Sequence, residues 1–193
     1  SPLSNIRQDK YGGNFNNRVR FTREIASTVR NCIPEDKVLA FRLSHTDWVE
    51  GGWTTEETVE LAKLLKQDGV DLIDVSSGGS TAKTVPLMRQ LQHDQVGKIP
   101  GTDDPVAEIP IGPGYQVPGA HAVRAGAEIP VAAVGLITKP EQANDIIVKN
   151  QADMVMLARA MLLNPYWPQH AAIALGDASR TRAPVQYYLD RKS

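Results

Sequence analysis

The sequence contains a single cysteine, Cys32, so no disulfide can form within the chain, and a reducing compartment such as the cytoplasm is the expected setting. Cys32 lies near the end of a predicted helix with no His paired to it locally, and reads as a structural or surface thiol rather than a nucleophile. Net charge is nearly absent: 21 Lys and Arg against 22 Asp and Glu leave −1 at pH 7. Nothing in that balance draws the chain to nucleic acid or to a membrane surface. Long apolar runs are missing too, and the stretch Ile129 to Leu136 is far too short to span a bilayer. Ser1-Pro-Leu-Ser-Asn5 is polar and turn-like, unlike a secretory signal, and there is no initiator Met, which sets the expectation of a truncated chain. No G-x-G-x-x-G follows any predicted strand, which argues against a dinucleotide-binding Rossmann unit. His45, His93, His121 and His170 lack metal-ligand spacing to another His, Cys or carboxylate. No metal site is expected, and all four read as structural, with His45 set apart by its place after a strand end.

What is present is enough for one domain with a real core: 193 residues, 41% hydrophobic and 22% charged. A loop runs through Asn14, and Asn16 or Asn17 is the predicted cap of a helix reaching about Asn31. Pro34-Glu-Asp36 turns the chain into the strand Val38–Ser44. Thr54 and Glu57 have capping-box spacing and open a helix that stops near Gly69. Val70–Val75 reads as a second strand, and residues 80–108 as an insertion or irregular excursion. Pro118 suits the first position of a helix to about Ala127. There follow a strand at 129–134, a helix at 140–150, a strand at 153–157, a helix beginning at Arg159 and an Arg-rich tail. Alternating elements with continuously apolar strands imply a parallel sheet covered by helices, an α/β fold. A TIM (β/α)8 barrel takes about 250 residues, so four strands imply half a barrel in one unit over residues 1–193.

Two features point to chemistry. Arg42 alternates with apolar neighbours on its strand, and in a sheet covered on both faces its guanidinium needs an acceptor. That acceptor is either an internal partner such as Asp74 on the next strand or an electron-rich ligand at the strand ends. The second feature is a pair of strand ends, Val134-Gly-Leu136 and Leu157-Ala-Arg159. TIM barrels commonly hold a phosphate in the loops after their last two strands, against a helix N-terminus. Gly135 allows close backbone approach, Ala158 leaves room and Arg159 can pair through two N–H groups. A plain turn and an ordinary helix residue are the competing readings, but a cation in a first helical turn is disfavoured unless an anion is bound. Ser76-Ser-Gly-Gly79 is a third, weaker candidate loop.

Several motifs occur in order along nearly the whole chain: Ser1-Pro-Leu-Ser-Asn5, Asp9-Lys-Tyr-Gly-Gly13, Asn17-Arg18, Phe41-Arg-Leu-Ser44 and Asp71-Leu-Ile-Asp-Val-Ser-Ser-Gly78. Gly112-Pro-Gly-Tyr-Gln116, Ala133-Val-Gly-Leu-Ile-Thr138, Ala152-Asp153, Ala158-Arg159 and Pro184-Val-Gln-Tyr187 complete the set. Together they resemble the Old Yellow Enzymes, most of all the branch of bacterial thermophilic-like members. The resemblance implies a TIM barrel that binds FMN, takes hydride from NADPH or NADH and delivers it to the activated C=C bond of an enone-like substrate. It implies that Arg42 lies beside the flavin N1/O2 edge and stabilises the reduced flavin, and that Gly135, Ala158 and Arg159 hold the FMN phosphate. It also implies that this chain corresponds to the C-terminal half, without the upstream residues that contact the isoalloxazine, bind the substrate's activating group and donate the proton. No catalytic residue is therefore assigned. Residues 80–108 are longer than the family's usual connection, and Arg191 is offset from an arginine that can reach a neighbouring subunit, so that role is not carried over. Half a barrel leaves two strand edges and one sheet face uncovered. Alone, the chain is expected not to perform the reaction; it needs an N-terminal half, a second copy or a different closure. Two alternatives stay open: another FMN barrel of the dihydroorotate-oxidising type, against which the DKYGG and GPGYQ motifs argue, and an FMN- or phosphate-binding fragment without catalysis.

Overall fold

The first helix starts earlier than its cap signals indicate. In the computed structural model, which describes residues 1–78 and 109–180, α1 spans Phe15–Cys32 and its cap is Asn14, whose side chain accepts from the Asn17 N–H at 3.0 Å. It ends at Ile33, held extended at φ −110° and ψ 149°, as a residue before proline prefers. The strand β1 is shorter than its apolar run, Ala40–Ser44, and the Leu39 N–H ahead of it is held by the Asp71 carboxylate at 2.8 Å. α2 (Thr55–Gln67) carries both halves of the capping box between Thr54 and Glu57. Its end is a Schellman turn: Gly69 donates to the Lys66 carbonyl and Val70 to the Leu65 carbonyl, with Gly69 at φ +90°.

β2 (Leu72–Ser76), α3 (Val117–Ala127), β3 (Val131–Ala133), α4 (Pro140–Val148) and β4 (Met154–Val155) continue the alternation. α5 (Arg159–Leu163) begins at the predicted residue, and α6 (Trp167–Ala174) and a 3-10 turn at Ala178–Arg180 follow it. The expected excursion at 80–108, Pro184-Val-Gln-Tyr187, Arg191 and His93 lie outside the described residues. Among the described residues no helix is long and apolar enough to cross a membrane.

The four strands pair in parallel, in chain order β1-β2-β3-β4. Ile73, Val75, Val131 and Ala133 point to one face and are fully buried, packed with Leu65, Ala120 and Val123 of the helices. The other face carries the row Arg42, Asp74, Ala132, Met154. At both ends of that row the side chains are open to solvent, Met154 among them. Among the described residues helices pack on one face of this sheet, where the sequence pattern implies two, although Asp74 and Ala132 in the middle of the other row are buried.

One device occurs twice at the strand starts. Asp71, just before β2, accepts the Leu39 N–H and Arg30 of α1, both at 2.8 Å. Asp153, just before β4, accepts the Val131 N–H at 2.9 Å and Arg124 of α3 at 3.0 Å. Each carboxylate fastens a strand to its neighbour and to the helix that precedes that neighbour, so the chain reads as two successive αβαβ units.

Gly119 of α3 lies against the His45 ring; a Cβ there would sit 2.3 Å from His45 Cγ. Alanine in an exposed helix position gains about 1 kcal/mol over glycine, yet overpacking a tight contact costs about 1–3 kcal/mol. Gly119→Ala is therefore expected to lower stability by up to about 2 kcal/mol in urea unfolding. A gain in stability would show that the ring yields freely.

Candidate functional site

The C-terminal ends of β3 and β4 and the segment before α3 enclose a cleft of about 220 Å3. Arg42, Gly135, Ala158 and Arg159, the four residues singled out from the sequence, all line it, with Tyr115, Gln116, Leu136 and Thr138 beside them. Strands separated by more than a hundred residues are brought together because each βα unit ends on the same side of a parallel sheet.

Gly135 takes φ +132°, and an added Cβ would meet Gln116 Nε2 at 3.2 Å and its Cβ and backbone N at 3.3 Å. Glycine is demanded there by backbone and by space alike. The loop that follows is pinned in two places: the Thr138 N–H donates to Gln142 Oε1 at 3.2 Å and Trp167 Nε1 donates to the Thr138 carbonyl at 2.9 Å. Ala158 is the residue before α5, and Arg159 is exposed and has no carboxylate partner among the described residues.

Of the two acceptors the sequence leaves open for Arg42, the structure shows the internal one. Arg42 Nη1 donates to Asp74 Oδ2 at 2.7 Å across the β1–β2 pair, where the two residues are in register, and Arg42 also lines the cleft. The expectation that it is desolvated is corrected: its side chain is 57% exposed, whereas that of Asp74 is 11% exposed. Arg42 lies on an outer strand of the four, at the solvent-exposed end of its row, while Asp74 and Ala132 in the middle of the row are buried. Asp74 Oδ1 is buried without a partner among the described residues.

Gln116, which the sequence marks only as the last residue of the Gly112-Pro-Gly-Tyr-Gln116 motif, also belongs to the cleft. It is buried, at 5% exposure, and precedes α3 without capping it. The Ser77 hydroxyl donates to its Oε1 at 2.7 Å, and its Nε2 donates to the Val134 carbonyl at 3.3 Å. A polar residue directly ahead of a Val-Pro helix start, with no capping role, is the signal that points to it.

His45 stands apart from the cleft. It is buried at 5% exposure, with Nδ1 3.0 Å from Thr55 Oγ1, its ring edge-on to Trp48 and Nε2 unpartnered. Burial holds its pKa down at about 4, from an ordinary 6.5. Among the described residues no group of His, Cys, Asp and Glu is arranged to hold a metal ion.

Four parallel βα units with a cleft at the C-terminal strand ends define part of a (β/α)8 barrel, half its eight units. The sequence profile of the NADH:flavin oxidoreductase / NADH oxidase family matches residues 1–177, and the chain belongs to that family. An NADPH dehydrogenase of Halalkalibacterium halodurans is 41% identical over 97% of this chain and 47% of its own length. One from a Geobacillus species is 44% identical with the same coverage of both. The chain thus spans about half the length of the curated relatives it matches. Among solved structures, a 2-naphthoyl-CoA reductase in complex with 2-naphthoyl-CoA superposes with a TM-score of 0.67 at 26% identity, over 90% of this chain and 23% of that one.

The His45 environment predicts a pH dependence. As pH falls, the unfolded chain takes up a proton at an ordinary imidazole near 6.5, while the folded chain resists until about 4. The unfolded state therefore holds more protons in that window, and stability drops from pH 6.5 towards 4 by up to about 1.4 kcal/mol per pH unit. Above that window the group adds no slope. Urea unfolding of parent and His45→Asn at pH 7, 5.5 and 4.5 checks it; equal slopes would refute the assignment.

Proposed function

We propose that this chain supplies the cofactor-phosphate side of an FMN-dependent oxidoreductase of the Old Yellow Enzyme type. Such an enzyme passes reducing equivalents from NADPH or NADH to the activated C=C bond of an enone-like small molecule. The observation that carries this reading is the single cleft in which Arg42, Gly135, Ala158 and Arg159 meet. Family membership supports it, as do the names of relatives that are NADPH dehydrogenases.

The residues present fit part of FMN. Arg159, exposed and without a carboxylate partner among the described residues, offers a planar fork to a phosphate. Gly135 lets the backbone approach it, and Ala158 leaves space. Arg42, held by Asp74 through one N–H, presents its remaining donors to the electron-rich pyrimidine edge of the flavin. At about 220 Å3 the cleft is smaller than the roughly 300–1,000 Å3 of sites that enclose a whole ligand. It takes the phosphate and the adjoining chain of the cofactor, and the ring needs walls from the other half of a barrel. Bound FMN supplies the two-electron chemistry; the chain's own residues bind it, orient it and set a positive charge against one edge. No residue of this chain is assigned to substrate activation or proton donation.

A second reading, an FMN- or phosphate-binding part with no catalysis of its own, is favoured by the exposed Arg42. Purification with excess FMN, desalting and a visible absorption spectrum separate the two. Retained flavin bleached by NADPH supports the oxidoreductase, and retained flavin that NADPH leaves unchanged supports the binding part. No quenching of FMN fluorescence by the protein at any concentration would overturn both. Arg159→Ala is expected to weaken FMN binding about ten- to hundredfold, the loss of one or two charge-assisted hydrogen bonds. Riboflavin, which lacks the phosphate, should bind the variant and the parent alike. Arg42→Ala should shift the reduction potential of bound flavin to more negative values, since a cation beside the ring favours the anionic reduced form; an unchanged potential would remove Arg42 from the site.

A further inference from the structure

We infer that Gln116 is a positioning residue that turns the backbone N–H groups of Gly135 and Leu136 into the cleft as phosphate donors, an inference that rests on the FMN reading above. A carbonyl can only accept, so the Gln116 amide nitrogen must be the atom facing the Val134 carbonyl at 3.3 Å, which leaves Oε1 to accept from Ser77 at 2.7 Å. Two residues earlier, the Gly114 N–H donates to the Gly135 carbonyl at 2.7 Å. The segment 114–116 thus holds two successive carbonyls of the turn after β3. In a trans peptide the N–H points opposite to the C=O of the same plane. Fixing the Val134 carbonyl therefore aims the Gly135 N–H away from Gln116, and fixing the Gly135 carbonyl aims the Leu136 N–H away from Gly114. Neither N–H has an acceptor among the described residues, and both residues line the cleft with Arg159. Adjacent backbone donors of this kind form an anion-binding concavity.

The amide itself is anchored outside the cleft. Ser77 follows β2 and is not among the cleft-lining residues, so the Ser77–Gln116–Val134 chain ties the phosphate turn to the neighbouring strand end. Gln116 is buried at 5% exposure, and its side chain fills the space beside Gly135 that a Cβ would need. It acts on the phosphate through the turn.

The readout is the ratio of FMN to riboflavin affinity, by fluorescence quenching of the full chain, because only FMN carries the phosphate. Gln116→Leu, similar in size and without the amide, should lower FMN affinity about tenfold and leave riboflavin affinity within about twofold. Ser77→Ala, which frees the amide without touching the cleft, should lower the ratio in the same direction by about threefold. Far-UV circular dichroism establishes that each variant is folded, and Ser77→Ala decides the matter if Gln116→Leu is not. Equal losses for both flavins would mean a general structural role, and an unchanged ratio in both variants would mean none; either overturns the inference. Failure of the underlying reading looks different: the parent would then show no preference for FMN over riboflavin, or Arg159→Ala would leave that preference intact.

Discussion

Burial on one side of the sheet is the constraint from which the rest of this structure follows. Ile73, Val75, Val131 and Ala133 are wholly removed from water against α2 and α3. Burying each Val or Ile side chain in this way stabilises the fold by about 1.5–3 kcal/mol. Side chains alternate along a strand, so committing these residues to the helical face commits Arg42, Asp74 and Ala132 to the other. The two ends of the sheet then divide the work. Asp71 and Asp153 tie strand starts and helix ends together at one end, and the residues of the cleft gather at the other. This is the division between a stabilising and a ligand-binding end that (β/α)8 barrels display.

Much of this was readable in advance, and for identifiable reasons. The capping box at Thr54 and Glu57 works through side chains three residues apart, so a local signal sufficed. Strand and helix order was readable because apolar runs and their breaks are local too. Boundaries are less so: β1 starts at Ala40, and the Leu39 N–H ahead of it is held by a carboxylate 32 residues away, information that no local pattern contains. The helix cap falls on Asn14 rather than Asn16 or Asn17, because three asparagines compete in four residues and only side-chain reach selects among them.

The site divides along the same line. That Gly135, Ala158 and Arg159 meet in one cleft is legible because each sits at a strand end, where position along the chain is itself a structural statement. The environment of Arg42 is not, since its exposure depends on its place on an outer strand, and that is a property of the assembled sheet. The role of Gln116 is hard to read from the sequence for a related reason. Its partners are 39 residues before it and 18 after it, and an amide that bridges two strand ends leaves no periodic trace.

The Arg42–Asp74 pair shows how the core reaches the site. A buried carboxylate that loses its only partner is strongly destabilising, so Asp74 depends on the guanidinium more than the exposed guanidinium depends on Asp74. One N–H of Arg42 meets that need at 2.7 Å, and the other donors of the fork remain to face the cleft, restrained in direction by the bond already made. The pairing exists only in the observed register, Arg42 beside Asp74. A slip of β1 by one residue would turn Arg42 into the helical face and bring Phe41 and Leu43, which pack against the core, out of it. The packing of Phe41 and Leu43 is therefore also what aims Arg42.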